Sequence, residues 1–152
     1  MCGIAGFYGF DNKEELAEMA NKVQQHRGPD YQGTWGDGVV EFAHQRLSII
    51  DLSKSANQPF VKNGLVIVFN GEIYNYKQLK DSLIKKHGIE FRTSSDTEVV
   101  LEYYRLYGTD CLNHFIGMFA FAIYNEKTQH TFIARDHFGI KPIFFTKIGK
   151  NF

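Results

Sequence analysis

The stretch CGIAGFYG at residues 2–9 sets the interpretation of the whole sequence. Its apolar and aromatic residues favour a β-strand, and its small residues let other chain segments approach the backbone closely. A cysteine stands at the start of this stretch, directly after Met1. The stretch therefore predicts a glycine-rich N-terminal strand that carries Cys2 at its tip.

Two segments further along the chain have the apolar spacing of amphipathic helices. Residues 13–26 predict a helix that the Arg-Gly-Pro-Asp sequence at 27–30 ends. Its expected apolar face is made of Leu16, Met19, Ala20 and Val23. Tyr76–His87 predicts a second helix, which ends before Gly88 with basic residues in its last turn. Its expected inward face is made of Leu79, Leu83 and Ile84.

A third helix has a clear N-terminal signal in its sequence. Ser95-Asp96-Thr97-Glu98 matches the capping box, in which the serine and glutamate side chains each accept a backbone N–H of the first turn. The apolar stripe that follows is made of Val99, Val100, Tyr103, Leu106 and Tyr107. We therefore expect a helix that begins at Ser95 and ends at Gly108.

Runs rich in aromatic and β-branched residues predict strands at residues 33–36, 39–44, 65–70, 118–124, 131–135 and 143–146. Residues 125–128 fit a hairpin turn. Residues 46–59 are expected to be a strand end that runs into a long loop, and long loops are often functional. Strands and helices occur in blocks without strict alternation, which favours an α+β fold of largely antiparallel sheets.

Length, charge and cysteine content limit the class of protein. A chain of 152 residues accommodates one compact domain, and its 17 basic and 17 acidic residues indicate no nucleic-acid partner. The sequence has no signal peptide and no apolar run near the roughly 20 residues of a membrane span. Its two cysteines form no CxxC motif, and Cys111 is expected to be a small buried residue. We therefore expect a cytoplasmic protein without a membrane partner.

Cys2 becomes a candidate nucleophile if Met1 is removed. The residue then carries both a thiol and a free α-amine, whose pKa of about 8 lies close to that of a thiol. The amine can therefore take the thiol proton without a separate histidine. An ordinary strand cysteine is the alternative, and position alone does not decide between the two. None of the six histidines has the spacing of a zinc site, so no metal is expected.

Other residues would complete a site in which the thiol attacks an amide carbonyl of a small zwitterionic substrate. Asn70 and Gly71 can donate to a developing oxyanion, although Asn-Gly is also the commonest tight-turn dipeptide. A buried zwitterion needs a cation for its carboxylate and an anion for its ammonium, and Arg46 and Asp96 are candidates. A surface arginine and a first-turn carboxylate favoured by the helix dipole are the alternatives.

Eight blocks of this sequence resemble, in order and spacing, the class II glutamine amidotransferase domain of glutamine-hydrolysing asparagine synthetases. They are CGIAG at 2–6, HRGPD at 26–30, HQRLSIID at 44–51, QP at 58–59, NGEIYN at 70–75, SDTE at 95–98, GMFAF at 117–121 and RDHFGIKP at 135–142. One block could be coincidence, but eight in family order over the whole chain make coincidence improbable.

The resemblance implies an N-terminal-nucleophile fold with two stacked antiparallel sheets between helical layers. It implies that Cys2 attacks the glutamine amide with its own α-amine as base, and that Asn70 and Gly71 form the oxyanion hole. It also implies that glutamine is bound by Arg46, Leu47, Ser48, Ile49, Ile50, Glu72 and Asp96, with Arg46 on the α-carboxylate and the two acidic residues on the α-ammonium. His26, Arg27, Asp30, Arg135 and Asp136 would be structural or domain-facing.

The resemblance also concerns what lies outside this domain. In the family the glutaminase domain continues beyond the Arg-Asp block and is followed by an ATP-using synthetase domain. No ATP site resembling it is present, so we expect residues 1–152 to be a glutaminase domain, C-terminally truncated, that needs no cofactor. ATP and Mg would serve only the synthetase domain or subunit. The sequence leaves open whether the ammonia acceptor is aspartate or a sugar precursor. It also leaves open whether the protein forms a homodimer.

A non-catalytic domain of the same fold, serving as a binding or interface module, is the competing hypothesis. It would keep Met1, whose peptide bond removes the α-amine needed as a base. An amidase acting on another amide is a third hypothesis, but such enzymes commonly release their nucleophile from a longer propeptide, and here only Met1 precedes it. The mass of the mature N-terminus shows whether Met1 is present and so distinguishes the glutaminase from the non-catalytic module.

Overall fold

A computed structural model describes residues 1–152 as seven strands and three α-helices. The strands are β1 (Gly3–Tyr8), β2 (Tyr31–Gly36), β3 (Val40–Arg46), β4 (Phe60–Lys62), β5 (Leu65–Ile73), β6 (Gly117–Asn125) and β7 (His130–Arg135). The helices are α1 (Lys13–Gln24), α2 (Tyr76–His87) and α3 (Asp96–Tyr107). Short 3₁₀ helices lie at Gln25–Arg27, Lys54–Ala56 and Gly108–His114.

The strands form two antiparallel sheets. The first sheet has the order β1-β3-β2 and the second has the order β4-β5-β6-β7. Helix α1 packs on the first sheet, the two sheets contact each other through β1, β3 and β5, and α3 packs on the second sheet beside α2. The predicted α+β architecture of two stacked sheets between helical layers is therefore confirmed.

Two apolar clusters hold these layers together. The cluster between the sheets contains Val40, Phe42, Val66, Val68 and Tyr124, all at most 2% exposed. A larger cluster of 17 buried residues lies between the second sheet and the helices α2 and α3. Each fully buried side chain of this kind stabilises the fold by about 1.5–3 kcal/mol. Both faces of the second sheet are thus covered, which explains why β5 is an almost continuous apolar run.

The buried face of α1 differs from the predicted one. Met19 and Val23 are 61% and 72% exposed, and the buried positions are Lys13, Ala17 and Asn21. The helix lies close to the glycine-rich first sheet, where Asn21 donates to the Gly33 carbonyl at 3.1 Å. Because the backbones approach closely, small and polar residues fit this contact better than the predicted apolar stripe.

The second and third helices have the predicted bounds, with two corrections to their side chains. Ile84 is 45% exposed and does not join Leu83 in the core. Ser95 caps α3 by accepting the Thr97 N–H at 3.0 Å, but Glu98 does not complete a capping box. It points inward instead and accepts from Lys62 at 2.7 Å, so a buried ion pair has replaced the predicted cap.

The strands agree with the sequence except near the C-terminus. The predicted hairpin joins β6 to β7, whereas the predicted strand at 143–146 is wrong, because these residues pair with no other strand. Phe144 and Phe145 are 90% and 86% exposed. Strand propensity needs a neighbouring strand to be realised, and the second sheet ends at β7. Measured by length and apolarity, none of the helices qualifies as a membrane span.

Candidate functional site

A cavity lies where the beginning of β1, the end of β3 and the open edge of β5 meet. Nine of the ten predicted site residues line it, namely Cys2, Arg46, Leu47, Ile49, Ile50, Asn70, Gly71, Glu72 and Asp96. Ser48 does not; its backbone N–H donates to Asp30 Oδ2 at 2.7 Å, outside the cavity. The fold therefore gathers these nine residues from four separate segments around one space. No group of three or more acidic, His or Cys side chains is arranged to hold a metal.

Cys2 is placed by the antiparallel pairing of β1 with β3. Gly3 lies opposite Gln45, so the start of β1 meets the end of β3 and Cys2 lies beside Leu47. The thiol accepts the Leu47 N–H at 3.4 Å and contacts the Leu47 carbonyl oxygen at 3.7 Å. Burial raises the pKa of the thiol, and the Leu47 N–H only partly offsets this. The resting thiol is therefore neutral and needs a nearby base to become a nucleophile.

The edge of β5 that faces the cavity has backbone donors without a strand partner, and Gly71 provides one of them. Gly71 lies opposite Phe119 of β6, but both polar backbone groups of Phe119 bind Asp136 on the other side of that strand. The pair is therefore of the non-hydrogen-bonded kind, and the Gly71 N–H points away from β6. Strand β4 covers that edge only as far as Ile67.

The two backbone donors that flank Gly71 on this edge are bound by side chains. The Phe69 N–H donates to Gln58 Oε1 at 2.6 Å, and the Ile73 N–H donates to Asp96 Oδ2 at 3.0 Å. Because N–H groups on one edge of a strand recur every second residue, the Gly71 N–H lies between these two. Unlike these two neighbours, the Gly71 N–H faces the cavity and has no acceptor from a strand or from a side chain.

Asn70 and Gly71 lie inside β5, so the tight-turn interpretation of this dipeptide is wrong. A Cβ atom on Gly71 would lie 2.3 Å from the Met118 carbonyl oxygen and 2.6 Å from Phe119 Cα, which leaves room for glycine alone. The side chain of Asn70 is 8% exposed and lines the cavity. Strand alternation places it on the face that contacts the first sheet, which is the face toward Cys2.

Arg46 is buried at the end of β3 and holds the long loop. Its Nη1 donates to the Ser53 carbonyl at 3.0 Å and to Asn57 Oδ1 at 2.7 Å, and its Nη2 donates to the Asp51 carbonyl. A guanidinium has five N–H donors. Two of them, on Nε and Nη2, therefore remain without a partner in the chain, which is the number that one carboxylate can accept.

Asp96 and Glu72 bring negative charge to the cavity. Asp96 is 4% exposed at the first position of α3. Burial, with a further contribution from Glu72, raises its pKa to about 6. No arginine or lysine lies within 4.0 Å of its carboxylate, since the three ion pairs of the chain are elsewhere. A cation entering the cavity would therefore find an unpaired acidic group there.

Several lining residues were not predicted from the sequence. They are Met1, Asp51, Ala56, Gln58, Phe69, Ser95, Thr97, Met118 and Lys141. Gln58 links β5 to α3, since its Nε2 donates to Thr97 Oγ1 at 3.2 Å. Lys141 is 3% exposed and its Nζ contacts the Met1 sulfur. The QP and RDHFGIKP blocks contain two of these residues but carry no local signal of a role.

The residues expected to be structural include one that organises the chain after β7. Asp136 is 3% exposed, and its carboxylate accepts the backbone N–H groups of Phe119, Phe138, Ile140 and Lys141. These four bonds lower its pKa although burial acts in the opposite direction. The turn they form places Lys141 against the cavity beside β6.

Comparison with known proteins relates this geometry to a family. The glutamine amidotransferase domain model matches residues 1–152. A Mycobacterium tuberculosis protein with a provisional name of asparagine synthetase, glutamine-hydrolysing, is 44% identical over 93% of this chain and 23% of its own length. The Bacillus subtilis asparagine synthetases (glutamine-hydrolysing) 3 and 1 are 38% and 42% identical, over 100% and 97% of this chain and 26% and 24% of theirs.

This chain spans about a quarter of the length of the curated relatives it matches. What the names of those relatives describe therefore concerns proteins with large additional segments. The family match, in contrast, covers every residue of this chain, including the cavity and all the strands and helices around it. The chain belongs to the glutamine amidotransferase domain family.

Proposed function

We propose that this domain hydrolyses glutamine to glutamate and ammonia through a thioester on Cys2. The observation that carries the proposal is the arrangement across the cavity. The thiol lies on one side, and the unpaired Gly71 N–H and the Asn70 side chain lie on the other. A nucleophile facing two amide-type donors is what cleavage of a carboxamide requires, because the donors stabilise the oxyanion that forms during attack.

Formation of the thioester begins with transfer of the thiol proton to the α-amine of Cys2. Burial raises the thiol pKa, which makes this base necessary. The sulfur then bonds to the glutamine amide carbon, and the carbonyl oxygen becomes an oxyanion held by Asn70 and Gly71. As the intermediate collapses, the carbon–nitrogen bond breaks and the α-ammonium returns its proton to the departing nitrogen, which leaves as ammonia.

Hydrolysis of the thioester repeats these steps with water. The α-amine takes a proton from the water molecule while its oxygen attacks the thioester carbon, and the oxyanion forms again between the same two donors. The carbon–sulfur bond then breaks, the sulfur recovers a proton from the α-ammonium, and glutamate leaves. One water molecule is consumed and the enzyme returns to its starting form.

The charged groups of the cavity fit the two ends of a free amino acid. Arg46 has two unused donors for the α-carboxylate, while Asp96 and Glu72 offer their charges to the α-ammonium. Leu47, Ile49 and Ile50 supply the remaining wall. A buried zwitterion is stable only when both charges are paired, so the cavity selects free glutamine over a glutamine side chain within a protein.

The domain would act together with a synthetase domain or subunit in the cytoplasm. The names of its relatives support asparagine as the product that incorporates the ammonia. ATP-dependent amidation of aspartate by the synthetase would form it. Another acceptor such as a sugar precursor would require the same glutaminase chemistry, since nothing in the cavity depends on the acceptor. The competing hypothesis of a non-catalytic module differs in keeping Met1.

A glutaminase assay on the processed protein tests the proposal. Mass spectrometry first establishes that Met1 is absent, and ammonia release from glutamine is then measured. Cys2→Ala should abolish release while circular dichroism and the melting temperature remain those of the wild type. Cys111→Ala, at the other buried cysteine, should retain activity because Cys111 lies outside the cavity. Ammonia release that survives Cys2→Ala would refute the proposed mechanism.

A further inference from the structure

The cavity contains a buried cation that the mechanism above does not use. Lys141 is 3% exposed and lines the cavity together with Cys2 and Met1. Its ammonium contacts only the sulfur of Met1, and none of the ion pairs of the chain includes it. A buried ammonium without an anion destabilises the folded state. Its place at this position therefore calls for a functional explanation.

The contact with Met1 fixes where Lys141 stands relative to the reacting groups. Five covalent bonds connect the Met1 sulfur to the Cys2 nitrogen, so the Lys141 Nζ lies within about 10 Å of that nitrogen. Removal of Met1 converts this nitrogen into the α-amine and takes away the one atom that Lys141 touches. In the processed chain the ammonium of Lys141 and the α-amine of Cys2 therefore share the space that Met1 occupied.

We propose that the ammonium of Lys141 keeps the α-amine of processed Cys2 in its neutral, proton-accepting form. This inference rests on the proposed function, because it assigns a positioning role in the same site. A positive charge disfavours protonation of a neighbouring amine. At about 10 Å and an effective dielectric constant of about 20, the interaction amounts to about one pKa unit.

The other charged groups around the cavity act on the amine in both directions. The titratable and charged groups that face the cavity from each element are Arg46 at the end of β3, Asp51 in the following loop, Glu72 on β5, Asp96 on α3 and the thiol of Cys2; β6 contributes the uncharged Met118. The three carboxylates would favour a protonated amine. Arg46 carries the other positive charge and acts in the same direction as Lys141, but the proposed function pairs it with the α-carboxylate of glutamine. Lys141 is the cation of the cavity to which the proposed function gives no other role.

A direct titration of the amine tests the proposal without relying on turnover. The protein is expressed with ¹³C-cysteine, and removal of Met1 is verified. The Cα signal of Cys2 is then followed by NMR from pH 5 to pH 9. Cys111 serves as an internal reference, because burial raises its thiol pKa to about 12. Lys141→Met should move the amine transition upward by about one pH unit, and Lys141→Arg should restore it.

Lys80→Met is the matched control, since Lys80 donates to the Thr93 carbonyl at 2.7 Å and does not line the cavity. It should leave the titration unchanged. In the pH profile of kcat/KM for ammonia release, the acidic limb should shift upward in Lys141→Met. It should stay at the wild-type position in Lys141→Arg and Lys80→Met. An amine transition that is identical in wild type and Lys141→Met overturns the inference, whatever the activity of the variant.

Two further results keep the test decisive. If Lys141→Met does not fold, Lys141→Gln replaces it in the titration. In addition, a wild-type α-amine whose pKa lies above the ordinary value of about 8 overturns the inference. Failure of the proposed function has a different signature, because ammonia release that persists in Cys2→Ala removes the need for the amine as base. The titration difference between wild type and Lys141→Met would stand in that case.

Discussion

Replacement of Asp96 by asparagine should separate stability from glutamine binding. The carboxyl group is 4% exposed, and burial raises its pKa to about 6. The unfolded chain keeps the ordinary aspartate pKa of about 4. Because the folded pKa is the higher one, this carboxyl stabilises the fold fully at low pH, and the contribution is lost as the pH rises through about 6.

The size of the effect follows from the difference between the two pKa values. About two units correspond to about 3 kcal/mol of unfolding free energy. Asparagine stays uncharged at every pH, and its side-chain oxygen can still accept the Ile73 N–H now held at 3.0 Å. Loss of a negative charge at the helix N-terminus costs about 0.3–1 kcal/mol. Asp96→Asn should therefore be more stable than the wild type at pH 8 by about 2 kcal/mol.

Urea titrations at pH 5, 6.5 and 8 measure this difference. The advantage of the variant should grow by about 1.4 kcal/mol between pH 5 and pH 8. In glutaminase assays the same variant should show a KM for glutamine raised by about tenfold or more, because the α-ammonium loses a charged acceptor. A variant that is no more stable than wild type at pH 8, or whose advantage does not change with pH, would refute the reasoning from burial.

Asp37 provides a control of opposite sign. Burial acts to raise its pKa, but the hydrogen bonds donated by Tyr124 and by the backbone of Val39 and Val40 outweigh this and lower it. A lowered folded pKa means that the charged form stabilises the fold, with the contribution present at neutral pH and lost in acid. Asp37→Asn should therefore be less stable than wild type at neutral pH, and it should leave the KM for glutamine unchanged.

Three further predictions concern separate parts of the structure. Gly71→Ala places a Cβ atom 2.3 Å from the Met118 carbonyl oxygen, so β5 must shift and kcat for ammonia release should fall by about 10²-fold or more. Lys62→Met leaves the buried Glu98 without a cation, while Glu102 keeps Arg105, and it should cost about 3–5 kcal/mol in urea titrations. Arg105→Met, at a side chain 37% exposed, should cost about 1 kcal/mol or less. In the wild type, KM for glutamine should rise as the pH falls below about 6, because protonated Asp96 cannot pair with the α-ammonium.

The layers of the fold could be predicted from the sequence because local pattern and tertiary packing agree. Helix α2 has the predicted bounds, and the left-handed Gly88 that ends it has a φ of 62°. Helix α1 shows where such agreement fails. Its apolar residues Met19 and Val23 face outward, since close contact with a glycine-rich sheet favours the small Ala17 and the hydrogen-bonding Asn21. Periodicity identifies a helix, but the surface it packs on decides which face is buried.

Local chemistry alone left every candidate site residue with an alternative interpretation, and the resemblance supplied the rest of the candidate site. Asn70 and Gly71 gave contradictory local signals, because a dipeptide typical of turns lies inside β5. The Gly71 N–H is free because β4 ends before it and because its pair with β6 is of the non-hydrogen-bonded kind. The side chains of Gln58 and Asp96, from distant segments, bind the donors on either side of it. None of these is a property of residues 70 and 71. Lys141 was missed for the same reason, since its position depends on the turn that Asp136 organises.

The features that make this cavity suited to glutamine also oppose folding. Asp96 is a buried carboxyl, Lys141 is a buried ammonium without an anion, and Gly71 has an unpaired backbone donor. These groups can persist only if the surrounding structure is held firmly. Helix α3 is therefore central, because it presents Asp96 to the cavity and anchors itself on the other side through Glu98 and Glu102.

The anchor of α3 is electrically balanced, since Lys62 and Arg105 face these two glutamates. Glu98 also accepts the backbone N–H groups of Arg92 and Thr93, which fixes the segment that leads into the helix. A satisfied network of this kind specifies one arrangement of its members. Weakening it should therefore move Asp96 before it unfolds the domain, and partial loss of Lys62 contacts should raise the KM for glutamine while the sheets remain intact.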